Sequence, residues 1–114
     1  MKVILGVTGS ISAYKAVDIC RVFQKNGHSV SVIMTQSALK FVTALTFETF
    51  CPGQVFVSMF EKNQDPVLHI NICKEADLLL IAPATANIIG KITNGIADDL
   101  LSTTFLAFFN SFPG

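Results

Sequence analysis

The first 27 residues have the pattern of a buried strand that passes through a glycine turn into a helix. The stretch KVILGV at residues 2–7 is apolar and β-branched without alternation, which is typical of a strand covered on both faces of a parallel sheet. Apolar residues then recur at helical spacing from 12 to 25, and Asn26 and Gly27 supply a left-handed stop. A strand followed by an amphipathic helix is half of a βαβ unit, so the pattern indicates an α/β domain.

Two further apolar runs predict strands, SVSVIM at 29–34 and DLLLIAP at 77–83, and a shorter one is expected in QVFVS at 54–58. Helical patterns separate them, including one that begins with Asp65 as N-cap and Pro66 at the first helical position. Strands that alternate with helices favour a doubly wound parallel sheet of the Rossmann or flavodoxin type. We expect residues 1–114 to form a single domain.

Composition narrows the classes of partner. Eight Lys and Arg balance eight Asp and Glu, so net charge recruits neither nucleic acid nor a membrane surface, and no run approaches a membrane span. Hydrophobic residues make up 51% of the chain, and we expect part of this apolar surface to meet another subunit. The odd set Cys20, Cys51 and Cys73 predicts reduced, buried thiols in a cytoplasmic protein. We assign no metal site.

Three polar turns follow the three strong strands: TGSIS at 8–12, TQSA at 35–38 and PATAN at 83–87. Ligands of open parallel sheets bind at the carboxyl ends of the strands, where these turns converge. Gly9 permits close backbone approach, and the helix start at Ser10 to Ser12 offers unpaired N–H groups that suit a phosphate. A Gly-Ser turn before a helix is also an ordinary N-cap, so this turn alone leaves ligand binding open.

The spacing of the glycines disfavours two nucleotide classes. Gly6 and Gly9 give G-x-x-G in place of the dinucleotide fingerprint G-x-G-x-x-G, and the second strand ends in MTQS without an acidic residue for a ribose. The P-loop pattern is absent as well. A monophosphate held by backbone and by the hydroxyls of Ser10 and Ser37, with no charge required, is the remaining prediction. A generic nucleotide-binding α/β module is a weaker alternative.

Three long stretches carry a family resemblance: GVTGSISAYKA, VIMTQSALKFVTALTFET and LHINICKEADLLLIAPATANIIGKITNGIADDLLSTT. They resemble the homo-oligomeric flavin-containing cysteine decarboxylases, most closely the decarboxylase half of the bifunctional bacterial coenzyme A enzymes, from about residue 2 to 106. The resemblance implies an FMN-dependent carboxy-lyase that converts 4′-phosphopantothenoylcysteine into 4′-phosphopantetheine. It also implies homotrimers, often assembled further into dodecamers, with FMN at a subunit interface.

The resemblance implies eight FMN-binding residues: Gly9, Ser10, Ile11 and Ser37 at the phosphate, Phe41 near the isoalloxazine, and Ala84, Thr85 and Asn87 at the flavin. His69, in LHI, matches the active-site histidine of the family. A lone histidine is more often a surface residue or a core residue whose hydrogen bonds are made within the protein. The match of LHI to the family instead favours a catalytic role for His69. Its ordinary pKa suits proton transfer at neutral pH.

The implied chemistry needs an electron sink. Loss of CO2 from an alkyl cysteine leaves a carbanion, so the flavin first oxidises the thiol end to a thioaldehyde that accepts the charge. The family continues into a P-x-M-N segment and a cysteine-bearing flap, whereas this sequence ends in AFFNSFPG. We therefore expect a shortened domain, and two functions stay open: the decarboxylase, or an FMN-binding regulatory or assembly protein without turnover.

Overall fold

The computed structural model describes residues 1–57, 75–98 and 100–110, and these residues form a four-stranded parallel sheet. The sheet order is β3-β2-β1-β4. The strands are β1 (Lys2–Val7), β2 (Ser29–Met34), β3 (Val55–Phe56) and β4 (Leu78–Ile81). β1 is central and pairs along its length with β2 and, over residues 3–6, with β4. All four predicted strands are confirmed.

Helices connect β1 to β2 and β2 to β3, and others follow β4. Two 3-10 segments, at Ile11–Tyr14 and Ser37–Lys40, follow β1 and β2. The described part of the chain includes the α-helices α1 (Lys15–Lys25), α2 (Ala44–Glu48), α3 (Ala86–Thr93) and α4 (Leu100–Asn110). The predicted helix over 12–25 is therefore a 3-10 turn that continues into α1. It stops as predicted, with Asn26 as C-cap and Gly27 at a φ of 85°.

The strands bury side chains on both faces, which explains why they are apolar without alternation. One face packs against α1 and α2, in a core that includes Leu5, Val7, Val32, Met34, Cys20 and Phe47. The opposite face packs against α3 and α4, in a core that includes Ile4, Ile33, Ile88, Leu100 and Leu101. The doubly wound α/β architecture is confirmed.

β1 and α4 approach each other closely at Gly6. A Cβ at this position would lie 2.6 Å from Cδ1 of Leu101 and 3.4 Å from Cγ1 of Ile81. Gly6 thus serves the packing of a helix on the sheet, which separates it from the polar turn at Gly9. Among the residues that the structure describes, no helix combines the length and the apolar character that crossing a bilayer requires.

Cys20 and Cys51 are free, buried thiols that lie 3.3 Å apart at their sulfur atoms. Burial, followed by the neighbouring Cys51 thiol, raises the pKa of Cys20 to about 12, so this thiol stays protonated at neutral pH. The prediction of small buried thiols is confirmed for both. Cys73 and the helix predicted to begin at Asp65 lie outside the described residues.

Candidate functional site

A polar cavity of about 380 Å³ lies at the carboxyl ends of β1 and β2, beside α3. This volume falls within the roughly 300–1,000 Å³ of small-molecule sites, and the location is the one where open parallel sheets bind ligands. Hydroxyl and amide side chains dominate its lining: Thr8, Gly9, Thr35, Gln36, Ser37, Val57, Thr85, Asn87, Ile88, Lys91 and Asp98.

A second cavity, of about 590 Å³, lies at the opposite end of the sheet, where Lys2 and Ser29 begin β1 and β2. Its other lining residues include Gln54 and Glu75. The amino ends of parallel strands are not where such sheets bind ligands. We therefore place the candidate site in the smaller cavity, and we call that cavity the polar pocket.

The first two turns press against each other at Gly9. A Cβ on Gly9 would lie 2.6 Å from the Cβ of Ser37 and 2.9 Å from the carbonyl carbon and oxygen of the same residue. Backbone atoms cannot yield as a flexible side chain can, so only glycine allows this contact. The close approach predicted at Gly9 is thus made to the second turn, and it brings the turn after β1 next to Ser37.

Ser10 acts as the cap of the first turn. Its Oγ accepts a hydrogen bond from the backbone N–H of Ser12 at 3.3 Å and lies 3.1 Å from the Oγ of Ser12. The sequence allowed either an ordinary N-cap or a phosphate-binding role for this turn, and the hydroxyl of Ser10 makes the N-cap. The N–H of Ser12 is taken by this cap and that of Ala13 donates to the carbonyl of Ser10, so the N–H of Ile11 is the donor that the start of the turn offers to an anion.

Thr35 and Thr85 hold the other two turns in shape. The Oγ1 of Thr35 accepts from the N–H of Ala38 at 3.2 Å, which stabilises the second turn. Thr85 is the N-cap of α3 and accepts from the N–H of Ile88 at 3.3 Å. Ser37 is exposed and lines the polar pocket.

The first and third turns are joined by the hydroxyl of Thr8. Thr8 is buried, and its Oγ1 donates a hydrogen bond to the carbonyl oxygen of Pro83. The turn after β1 therefore contacts both neighbouring turns, through Gly9 on one side and Thr8 on the other. This central turn fixes the relative positions of the three walls.

An ion pair lies in the wall formed by α3. Nζ of Lys91 is 2.9 Å from Oδ1 of Asp98, and the two side chains are 18% and 59% exposed. A left-handed turn ends α3: Gly95 has a φ of 68°, and the N–H of Ile96 donates to the carbonyl of Lys91 at 2.8 Å. This turn reverses the chain and brings Asp98 back to Lys91.

The structure gathers part of the predicted site. Four of the predicted FMN-binding residues line the polar pocket: Gly9, Ser37, Thr85 and Asn87. The other four are not among its lining residues: Ser10, Ile11, Phe41 and Ala84. The side chain of Ile11 is 81% exposed and that of Phe41 is 46% exposed. His69 lies outside the described residues.

Sequence reasoning missed several lining residues, above all Lys91 and Asp98, because it expected a pocket that needs no charge. A signal for Lys91 was available. Lys91 follows Asn87 by four residues in a helical pattern, and residues at that spacing share one face of a helix. Thr8 and Thr35, each directly after a strand, were equally accessible to such reasoning.

The donor set of the polar pocket fits a phosphoester. Hydroxyl and amide side chains donate hydrogen bonds to phosphate oxygens, and an ammonium group adds opposite charge. Ser37 and Lys91 are donors of these kinds in its wall, whereas the hydroxyl of Thr8 already donates to Pro83. Val57 and Ile88 add apolar surface, which suits a ligand that joins a phosphate to an aromatic ring system.

Comparison with known proteins gives consistent matches. The model of the flavoprotein family matches residues 1–113. The coenzyme A biosynthesis bifunctional protein CoaBC of Bacillus subtilis is 47% identical over 106 residues, which cover 92% of this chain and 26% of that protein. A probable phosphopantothenoylcysteine decarboxylase of Streptococcus mutans is 37% identical over 107 residues, 93% of this chain and 60% of the relative. The chain thus spans about a quarter of the first relative.

A solved structure shares the fold over nearly the whole chain. The FMN-dependent cysteine decarboxylase TvaF from thioviridamide biosynthesis superposes with a TM-score of 0.87 at 28% sequence identity. The match covers 94% of this chain and 67% of that one. The doubly wound sheet described above is therefore an arrangement already seen in a solved protein.

Proposed function

This chain belongs to the flavoprotein family, and from that premise we propose that its polar pocket binds FMN for the decarboxylation of 4′-phosphopantothenoylcysteine to 4′-phosphopantetheine. A relative named as a probable phosphopantothenoylcysteine decarboxylase, at 37% identity, and one named for coenzyme A biosynthesis, at 47% identity, support the substrate. One observation carries the cofactor: a single pocket is lined by four of the eight residues assigned to FMN by resemblance, Gly9, Ser37, Thr85 and Asn87.

The residues divide the work of holding FMN. The contact between Gly9 and Ser37 would place the hydroxyl of Ser37 beside the start of the first helical turn, where it and the N–H of Ile11 would hold the phosphate. Thr85 and Asn87, at the start of α3, would serve the flavin. The hydrogen bond between Thr85 and the N–H of Ile88 already holds the start of α3, so this wall of the pocket needs no rearrangement to bind the flavin.

The chemistry of the step needs an electron sink and a proton carrier. Bound FMN would supply the sink by accepting two electrons from the thiol end of the substrate, so that the charge left by departing CO2 is delocalised, and by returning them afterwards to give the thiol product. We assign the proton transfer to His69, because an imidazole changes its charge near neutral pH. The rest of the chain would orient the cofactor and exclude water from it.

Subunit assembly completes the proposal. Large apolar side chains are exposed on the two 3-10 turns and α2: Ile11, Tyr14, Leu39, Phe41 and Leu45. Ile11 and Phe41, both assigned to FMN by resemblance, are exposed on the single chain, and a second copy covering them would give the flavin its missing wall. We propose a homotrimer with FMN at the subunit interface, which can assemble further into a dodecamer.

Sedimentation velocity of the FMN-loaded protein tests this assembly. We expect a particle of three times the chain mass of 12.3 kDa, or a multiple of that trimer. Leu45→Glu, on an α2 residue that is 75% exposed, should release monomers, whereas Val22→Glu on α1 should not. A monomer that keeps its FMN would contradict the assembly and leave cofactor binding intact.

Cofactor binding and turnover are tested with two matched serine variants. Ser37 lines the polar pocket and Ser29 lines the cavity at the opposite end of the sheet. Ser37→Ala should weaken FMN binding by roughly 10-fold or more, the loss expected for one hydrogen bond to a charged group, and Ser29→Ala should not. Flavin fluorescence measures affinity, and CO2 release from 4′-phosphopantothenoylcysteine measures turnover.

The outcomes separate the two functions left open by the sequence. Bound FMN together with CO2 release supports the decarboxylase. Bound FMN with no CO2 release overturns the catalytic proposal in favour of a binding or assembly protein. A folded chain that binds no FMN overturns both.

A further inference from the structure

We propose that Lys91 and Asp98 set the preference of the polar pocket for the phosphorylated flavin, with Lys91 compensating the charge of the phosphoester and Asp98 opposing it. This inference rests on the proposed binding of FMN and adds a specificity-determining pair to it. The family resemblance implies a role for neither residue.

The first support is the location of the ammonium group. Lys91 lines the same pocket as Gly9 and Ser37, and its side chain is only 18% exposed. Lysine side chains are normally among the most exposed in proteins. A lysine drawn into a pocket wall interacts with a ligand through less intervening water, so its charge is less screened.

The second support is that backbone geometry, and not only side-chain reach, builds the pair. Thr85 caps the start of α3, and the left-handed Gly95 turns the chain back at its end. Asp98 therefore returns to within 2.9 Å of Lys91. The backbone path from α3 through Gly95 thus brings the two charges together.

The third support is the balance of charge in the pocket. Lys91 and Asp98 are the charged members of its described lining, and their formal charges cancel. A phosphomonoester brings between about −1.5 and −2 charges at neutral pH. Removing Lys91 would take away a cation that the described lining offers to the phosphate, and removing Asp98 would take away a carboxylate that repels it.

Riboflavin has the same ring system and lacks the phosphate, so it reports any effect that is not electrostatic. The experiment measures the dissociation constants of FMN and riboflavin by flavin fluorescence for the wild type, Lys91→Met and Asp98→Asn. We expect Lys91→Met to weaken FMN by about 10- to 100-fold and riboflavin by less than about twofold. Asp98→Asn should tighten FMN several-fold and leave riboflavin unchanged.

Added salt and two more variants complete the test. The FMN affinity of the wild type should fall as KCl is raised, and that of Lys91→Met should depend less on salt. Lys91→Arg keeps the charge and should keep the preference for FMN. The double variant Lys91→Met with Asp98→Asn should bind FMN more tightly than Lys91→Met alone, because the opposing carboxylate is gone. Circular dichroism checks that each variant is folded.

Two failures are distinguishable. If Lys91→Met weakens FMN and riboflavin by the same factor, Lys91 acts through the shape of α3 and the inference is wrong, while FMN binding by the wild type stands. If the folded wild type binds neither flavin, the proposed function fails and this inference fails with it.

Discussion

Gly9→Ala is expected to weaken FMN binding by about 100-fold or more, although it adds only one methyl group. The new Cβ would lie 2.6 Å from the Cβ of Ser37 and 2.9 Å from its carbonyl carbon and oxygen. The Cβ and the carbonyl group of Ser37 can move only with its backbone, so the turns after β1 and β2 must separate. A displacement of about 1 Å among groups that hold a ligand can cost roughly 100-fold. Overpacking of this kind also lowers the free energy of unfolding by about 1–3 kcal/mol.

Gly90→Ala is the matched control, because it is the same chemical change within α3. A Cβ at Gly90 meets no described atom within 4 Å. Alanine in a helix interior is more favourable than glycine by roughly 0.5–1 kcal/mol, so Gly90→Ala should be slightly more stable and bind FMN normally. Urea unfolding and flavin fluorescence measure both quantities. Equal FMN affinities in the two variants would show that the contact between Gly9 and Ser37 has no part in binding.

His69→Asn is expected to lower the rate of CO2 release by roughly 100- to 10,000-fold, the usual contribution of a positioned acid or base, with FMN still bound. Asparagine keeps a polar side chain of similar size and cannot transfer a proton in this pH range. The measurement is single-turnover release of CO2 from 4′-phosphopantothenoylcysteine by FMN-loaded protein. Flavin absorbance in the same sample shows that the cofactor is retained.

The other histidine of the chain provides the control for that experiment. His28 lies at the start of β2, the end of the strand opposite the polar pocket, with its ring centroid 6.0 Å from that of Phe23. His28→Asn should release CO2 within about twofold of the wild-type rate. A wild-type rate of CO2 release in His69→Asn would show that His69 is not catalytic. A loss of CO2 release in His28→Asn alone would contradict the assignment as well and would indicate an effect on protein stability.

The strands were accessible to sequence reasoning because burial on both faces leaves an unmistakable apolar run. The predicted strands at 29–34 and 77–83 differ from β2 and β4 only at the ends of β4, which the structure limits to Leu78–Ile81. The helix stop at Gly27 was equally accessible, because a positive φ strongly favours glycine. Local signals of this kind depend on a few adjacent residues.

The polar pocket was only partly accessible, because its walls depend on contacts between distant residues. No local pattern shows that the near neighbour of Gly9 is Ser37, which follows only once β1 and β2 pair in parallel register. The ion pair of Lys91 with Asp98 likewise depends on the chain reversal at Gly95. The hydroxyl of Ser10 was open to two roles by sequence, and only the geometry of the turn shows it as a cap.

The joined turns of the polar pocket have a consequence for cofactor exchange. Gly9 and Thr8 tie the central turn to both of its neighbours through backbone and hydroxyl contacts within the chain. Walls braced in this way need little ordering when a ligand arrives, so little of the interaction energy is consumed in shaping the receptor. A cofactor can then enter or leave this part of the pocket without the three turns first folding around it.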